Sequence, residues 1–243
     1  MEIPKDHPRY RSLVIRERLV EAYKQGILAP EGLIAHGRGE SFDYLIGEKT
    51  IPSADKAEKI AAAMLIDSED HVLSVNGNVA VLAGESVLKL AEIVPCKVEV
   101  NLFHRTEERI SKIANLLEEF SEMPILGRNT TARIPGLDQP RGLCEEKGIF
   151  SADTVLVALE DGDRTEALVR MGKNVIAIDL NPWCRTAQAA TLTVVDEVTR
   201  ALPRIIAYVE ELKENQQARK ALLESNIMKT VLDEAKAYIR NAR

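Results

Sequence analysis

The sequence predicts an α/β fold: a mostly parallel sheet with helices on both faces and an additional N-terminal helical segment. Three observations predict it. Beyond residue 70, short β-branched runs alternate with amphipathic helical stretches, the mark of repeated βα units. The first third of the chain has helical spacing instead. The composition supplies an aliphatic core, with 45% of residues hydrophobic and only 4% aromatic. A length of 243 residues fits one α/β domain. It divides into a helical part over 1–70, a parallel-sheet core over 71–196 and C-terminal helices over 197–243.

In the helical part, Leu13, Val14, Leu19, Val20 and Tyr23 fall near helical spacing over residues 9–25, and Gly26 can stop that helix. The glycine-rich stretch from Gly32 to Glu40 predicts a loop. Phe42, Leu45 and Ile46 suggest a short helix after it. Pro52 stands at a good first-turn position for an Ala-rich helix ending near Ile66. Strands are predicted over 71–75, 97–102, 124–127, 153–158, 174–178 and 191–195. Helices fall between them near 84–94, 106–120, 163–171 and 184–190, and helices of 197–213 and 217–240 close the chain. Residues 128–150, with two prolines and three glycines, predict a long loop. Along the last helix, Leu222, Leu223, Ile227, Val231, Leu232 and Ile239 fall on about one face, for packing on its own domain or for a dimer contact.

Several classes drop out. A formal net charge of −6 argues against a nucleic-acid binder, although it leaves room for a local basic pocket. No apolar run approaches the ~20 residues that span a bilayer. The N-terminus, Met1 through Asp6, has no signal-peptide core, so the chain is expected in the cytoplasm. Cys96, Cys144 and Cys184 form neither a metal pattern nor a disulfide framework. His7, His36, His71 and His104 lack metal-ligand spacing, so no metal site is predicted. No Ser/His/Asp arrangement stands out.

The strand ends carry the functional argument, because an open parallel sheet binds ligands outside the carboxyl ends of its strands. Each predicted strand runs into polar residues there: Asn76-Gly77-Asn78, Asn101 through His104-Arg105, Arg128-Asn129, Glu160 through Arg164, Asp179-Leu180-Asn181-Pro182, and Asp196. Any one of these is an ordinary turn sequence. Six on one predicted edge make a rim suited to a polar, charged ligand. Asp179 can accept hydrogen bonds from a ribose or cap the helix that follows. Arg185-Thr186 at that helix's start suits a phosphate. Gly32 to Gly39 superficially suggests a P-loop, but Arg38 stands where lysine is needed and Gly39 where Ser or Thr would hold magnesium. No strand precedes it. Its glycines either let backbone approach an anion beside His36 and Arg38 or simply form a turn.

The motifs resemble those of the archaeal phosphopantothenate synthetases, the 4-phosphopantoate–β-alanine ligases. The segments concerned are Ile3-Pro4-Lys5 with His7 to Tyr10, Gly32 to Glu40, Phe42 to Glu48, Ser74 to Asn78, Asn101 to Thr106, Arg133 to Leu137, Leu159 to Lys173 and Ile178 to Pro182. They span about residues 2–210 and are long and unusual strings. Trp183 and Cys184 depart from the family pattern, where smaller or aliphatic residues are expected.

The resemblance implies a Rossmann-like fold, a homodimer, and an ATP-dependent ligase of coenzyme A biosynthesis. That enzyme joins 4-phosphopantoate to β-alanine, giving 4'-phosphopantothenate, AMP and diphosphate through an acyl-adenylate. It implies an ATP site made of Arg16, Arg38, Asp179, Leu180, Asn181, Arg185, Thr186, Asp196 and Glu197, with Mg2+ neutralising the diphosphate. Asn76, Asn78, Asn101, His104 and Arg105, at strand ends, are expected to hold phosphopantoate. Arg38 is expected to act in catalysis, with His36 or His104 as proton acceptor. The alternatives are another nucleotide-dependent enzyme, or a non-catalytic nucleotide-binding regulator that would release no AMP.

Overall fold

Three helices precede the first strand: α1 (Tyr10–Lys24), α2 (Pro30–Ile46) and α3 (Pro52–Asp67). The structure, a computed structural model, describes residues 3–242, so Met1 and Glu2, at the head of the N-terminal segment, and Arg243 lie outside it. The βα alternation then runs β1 (His71–Val75), α4 (Gly77–Ile93), β2 (Lys97–Val100), α5 (Glu107–Glu118) and β3 (Ile125–Leu126). Between β3 and β6 lies an insert that contains β4 (Ala132–Arg133) and β5 (Leu143–Cys144). The chain continues through β6 (Thr154–Ala158), α6 (Gly162–Arg170), β7 (Asn174–Ile178), α7 (Arg185–Ala189) and β8 (Leu192–Val194). It closes with α8 (Val198–Leu212), α9 (Gln216–Glu224) and α10 (Ile227–Asn241).

Six strands form one sheet in the order β3-β2-β1-β6-β7-β8, and every neighbouring pair is parallel. The expected Rossmann-like α/β architecture is therefore what the chain adopts. Strand alternation sorts side chains to two faces. Leu73, Val75, Leu156, Ala158, Ile176 and Ile178 pack with α3, α4, α5 and α8 in the larger core. Val72, Val155, Val157, Val175 and Ala177 pack with α6 and the insert. Ala57, Ala61, Ala62 and Ala63 of α3 are all fully buried, and their small side chains let α8 approach closely. Among the described residues, no helix is long and apolar enough to cross a membrane.

The topology sets a switch point. The chain builds outward from β1 to β3, then returns to β6 beside β1 and builds the other way. The connections after β1 and β6 diverge and open a crevice at the carboxyl edge, the place where such sheets bind ligands.

Four expectations change. Gly32 to Glu40 is not a loop but the first half of α2, continuous with the short helix expected at Phe42. Pro30 starts it and Gly47, at φ +78°, ends it. Tertiary packing overrides the low helix propensity of its glycines. The helix expected to begin at 84 starts at Gly77, where Asn76 caps it by accepting from Val79 N, and it kinks at Ala83. The last helix is two, broken at Ser225–Asn226. The long loop carries the β4–β5 antiparallel pair and two short helical turns.

Side chains satisfy much of the insert's backbone. Glu99 accepts from Glu145 N and Ile149 N, Lys173 donates to Phe150 O, Arg164 to Arg141 O and Asn101 to Leu143 O.

Candidate active site

A cleft of about 680 Å³ opens at the switch point. The β1–α4 turn, the segment after β2, the β6–α6 turn and the segment after β7 line it, and α2 lies along one side. Asn76 joins the two central strands: its Oδ1 caps α4, and its Nδ2 donates to Ala158 O at 2.8 Å and Leu159 O at 3.2 Å. Those bonds help hold Leu159 at φ +52°, a left-handed conformation unusual for a bulky residue. Asn78 donates from Nδ2 to Gly32 O at 3.0 Å, tying α2 to the start of α4. A Cβ on Gly32 would meet Asn78 Oδ1 at 2.6 Å, so that approach requires glycine.

Of the expected site residues, Arg38, Asn76, Asn78, Asn101, His104, Asp179, Asn181 and Thr186 all line this cleft. Arg38 is exposed there, with no carboxylate in ion-pair distance among the described residues. Asp179 accepts from Asn181 N at 2.8 Å; burial raises its pKa against that bond and the charge of Arg38. Thr186 Oγ1 donates to Glu160 O at 2.8 Å. Cys184 caps α7, its sulfur accepting from Ala187 N. Trp183 lies 6.2 Å from Phe42, centroid to centroid, an aromatic contact between α2 and the segment after β7.

His36, Leu180, Asp196 and Glu197 line a second, small cavity of about 60 Å³ on the other side of α2. Arg200 braces it, donating to Asp43 and Asp196. Thr50 and the Glu197 backbone also donate to Asp196. Burial lowers the pKa of His36, so its ring is neutral at neutral pH, and its Nε2 is buried without a partner. Gly39 and Leu159 border both cavities.

Three expected residues lie outside both linings. Arg16 pairs with Glu40 at 2.7 Å. Arg185 points outward to Asp163 and Glu166. The Arg105 side chain is only 2% exposed and donates to Gly127 O at 2.7 Å. His104 sits at the cleft mouth, 3.7 Å from Glu31. The sequence reading missed Arg109, Phe103 and Phe42 as cleft residues. Nothing in the sequence marks Arg109, which looks like one surface charge of an amphipathic helix. Its side chain turns to the cleft because Nη1 donates to His104 O and Nη2 to Ile27 O. Phe103 sits in the polar segment after β2, and Arg141 stacks over its ring at 4.8 Å.

A crevice of this kind, lined by both cations and carboxylates at a switch point, can hold a phosphorylated ligand beside a second reactant. Comparison with known proteins narrows the class. A model of the phosphopantothenate/pantothenate synthetase family matches residues 53–242. The chain is 53% identical over 215 residues to a protein of Thermococcus kodakarensis named 4-phosphopantoate–β-alanine ligase, covering 88% of this chain and 82% of that one. Proteins of the same name from Methanospirillum hungatei and Methanosarcina mazei are 53% and 50% identical, covering 88% and 89% of this chain and 87% and 85% of theirs.

Proposed function

The chain belongs to the phosphopantothenate/pantothenate synthetase family, and from that premise we propose that it is an ATP-dependent 4-phosphopantoate–β-alanine ligase working through an acyl-adenylate. A carboxylate oxygen of 4-phosphopantoate attacks the α-phosphorus of ATP, and the bond to the β-phosphate breaks, releasing diphosphate. The free amine of β-alanine then attacks the acyl carbon. The carbon–oxygen bond to AMP breaks, and the new nitrogen loses a proton to His104 or water; His36, across α2 from the cleft, is out of its reach. The products are 4'-phosphopantothenate, AMP and diphosphate.

The observation that carries this reading is the switch-point cleft with Arg38 and Asp179 both in its lining. Arg38 has a charge free for the phosphates; Asp179 and Asn181 suit the ribose. Both steps bring anions together, so fixed positive charge and positioning supply most of the catalysis. Asn76, Asn78 and His104 surround the room left for phosphopantoate, with Arg105 behind them. Arg16, Arg185, Thr186, Leu180, Asp196 and Glu197 belong to the nucleotide side by family resemblance. Among the described residues no group of three or more His, Cys, Asp or Glu could hold a metal of its own. Mg2+ is therefore taken to arrive on the nucleotide, held by its phosphate oxygens. That ion would neutralise charge on the departing diphosphate. A homodimer in the cytoplasm completes the proposal.

Incubation of the purified protein with ATP, magnesium, 4-phosphopantoate and β-alanine tests it, with nucleotides resolved by chromatography. AMP appears when both acid and amine are present. ADP would point to an acyl-phosphate or kinase route instead, and nucleotide binding without turnover to a regulator.

A further inference from the structure

We infer that Asn101 and Arg109 form the β-alanine site, with Asn101 Oδ1 accepting from the amine and Arg109 holding the carboxylate; the inference rests on the ligase reading above. Among the described residues lining the cleft, two keep a buried side-chain polar atom without a partner: Asn101 Oδ1 and Arg109 Nε. One is an acceptor, the other a cationic donor. An unmet buried polar atom is costly, so such a pair specifies a ligand that offers a donor and an anion together.

Asn101 is 0% exposed and sits directly after β2. Its backbone N–H donates to Val75 O at 2.9 Å, and its Nδ2 donates to Leu143 O at 3.1 Å. The Leu143 carbonyl requires the nitrogen on its side, so the amide oxygen is the atom left for the cleft. Arg109 stands in the first turn of α5. Two carbonyls hold its Nη atoms, and no carboxylate lies in ion-pair distance among the described residues. Its charge is thus anchored, with the Glu31 carboxylate near enough to act on it but outside ion-pair distance. A short zwitterionic amino acid meets both needs. An amide oxygen cannot take the amine's proton, but accepting one N–H orients the nitrogen lone pair for attack.

The order of the strands agrees with the order of the chemistry. The nucleotide residues Asp179 and Asn181 follow β7, whereas Asn101 and Arg109 follow β2, with β1 and β6 between them. The acid reacts first with the α-phosphate and then with the amine, so its carboxyl must lie between the two. Phosphopantoate at the β1–β6 switch point, nucleotide on the β7 side and β-alanine on the β2 side satisfy that requirement.

The test separates half-reactions. Phosphopantoate-dependent exchange of labelled diphosphate into ATP needs no β-alanine. Overall ligation is compared for β-alanine and for propylamine, which lacks the carboxylate. Arg109→Gln should raise the KM for β-alanine at least tenfold and shrink the wild-type preference for β-alanine over propylamine by a similar factor, with exchange within twofold of wild type. Asn101→Ala, as a second variant, should lower kcat/KM at least tenfold for both amines, again with exchange retained. A changed KM for phosphopantoate in the exchange, with the amine preference intact, would overturn the assignment and give the pair to phosphopantoate. Unchanged amine kinetics in both variants would also overturn it. Absence of exchange in the wild-type protein would instead sink the acyl-adenylate reading, and this inference with it.

Discussion

Among the described residues no carboxylate lies in ion-pair distance of Arg38 on the cleft wall, whereas Arg16 and Arg185 engage Glu40, Asp163 and Glu166. Replacing Arg38 with Ala should therefore lower kcat/KM for ATP by roughly 100-fold or more, the scale of losing one fixed stabiliser of a developing anion. Its melting temperature should stay near wild type, since the residue is exposed; steady-state kinetics alongside thermal unfolding check both. Glu58 behaves differently. It is fully buried, Arg204 donates to its Oε2 at 2.6 Å, and Asp196 lies close by. Burial, with Asp196 adding to it and Arg204 opposing, pushes its pKa up to about 8 from an ordinary 4.5. The folded state holds this proton more tightly than the unfolded chain. Its contribution to stability is therefore complete below the unfolded pKa and is lost as pH rises through the folded value. Glu58→Gln, which mimics the protonated acid, should flatten the fall in melting temperature between about pH 5 and 8; parallel curves for variant and wild type would contradict this. At this scale the sequence made loop residues such as Asp179 and Asn181 legible, because polar side chains at strand ends have few roles. It could not mark Arg109, whose direction depends on carbonyls at Ile27 and His104, one of them far away in the chain.

The element that moved furthest from expectation is α2. Glycine costs about 1 kcal/mol relative to alanine inside a helix, and three glycines among eight residues read naturally as a loop. What overrides that cost is close packing: the Gly32 backbone lies against Leu28 and the Asn78 side chain. Gly32→Ala should gain helix propensity yet lose stability by about 1–3 kcal/mol through overpacking, and it should weaken phosphopantoate binding by displacing Asn78. Denaturant unfolding and the KM for phosphopantoate measure the two effects. Gly148 is a harder case, since a Cβ there would come within 2.0 Å of Glu99 Oε2. Gly148→Ala should cost more than Gly32→Ala in the same unfolding experiment, because Glu99 would lose its hold on Glu145 and Ile149. The strands were legible because β-branched runs bounded by polar turns have one natural reading. The insert was not, because side chains from elsewhere in the fold satisfy much of its backbone.

Over the whole molecule, strand order does what no single residue does. The reversal between β1 and β6 opens the cleft, and Asn76 fastens its two sides together. The parallel sheet was legible from alternating elements, but the order β3-β2-β1-β6-β7-β8 was not, since pairing partners leave no local trace. That order spreads polar strand ends across one edge and provides for three reactants in the sequence the chemistry uses them. The account stands or falls on attack at the α-phosphorus. The direct measurement is ligation with 4-phosphopantoate carrying oxygen-18 in its carboxylate, followed by mass spectrometry of the products. Transfer of one labelled oxygen to AMP is the predicted result, because that oxygen forms the bond to the α-phosphorus and leaves with it. Label in inorganic phosphate, with ADP as the released nucleotide, would contradict it.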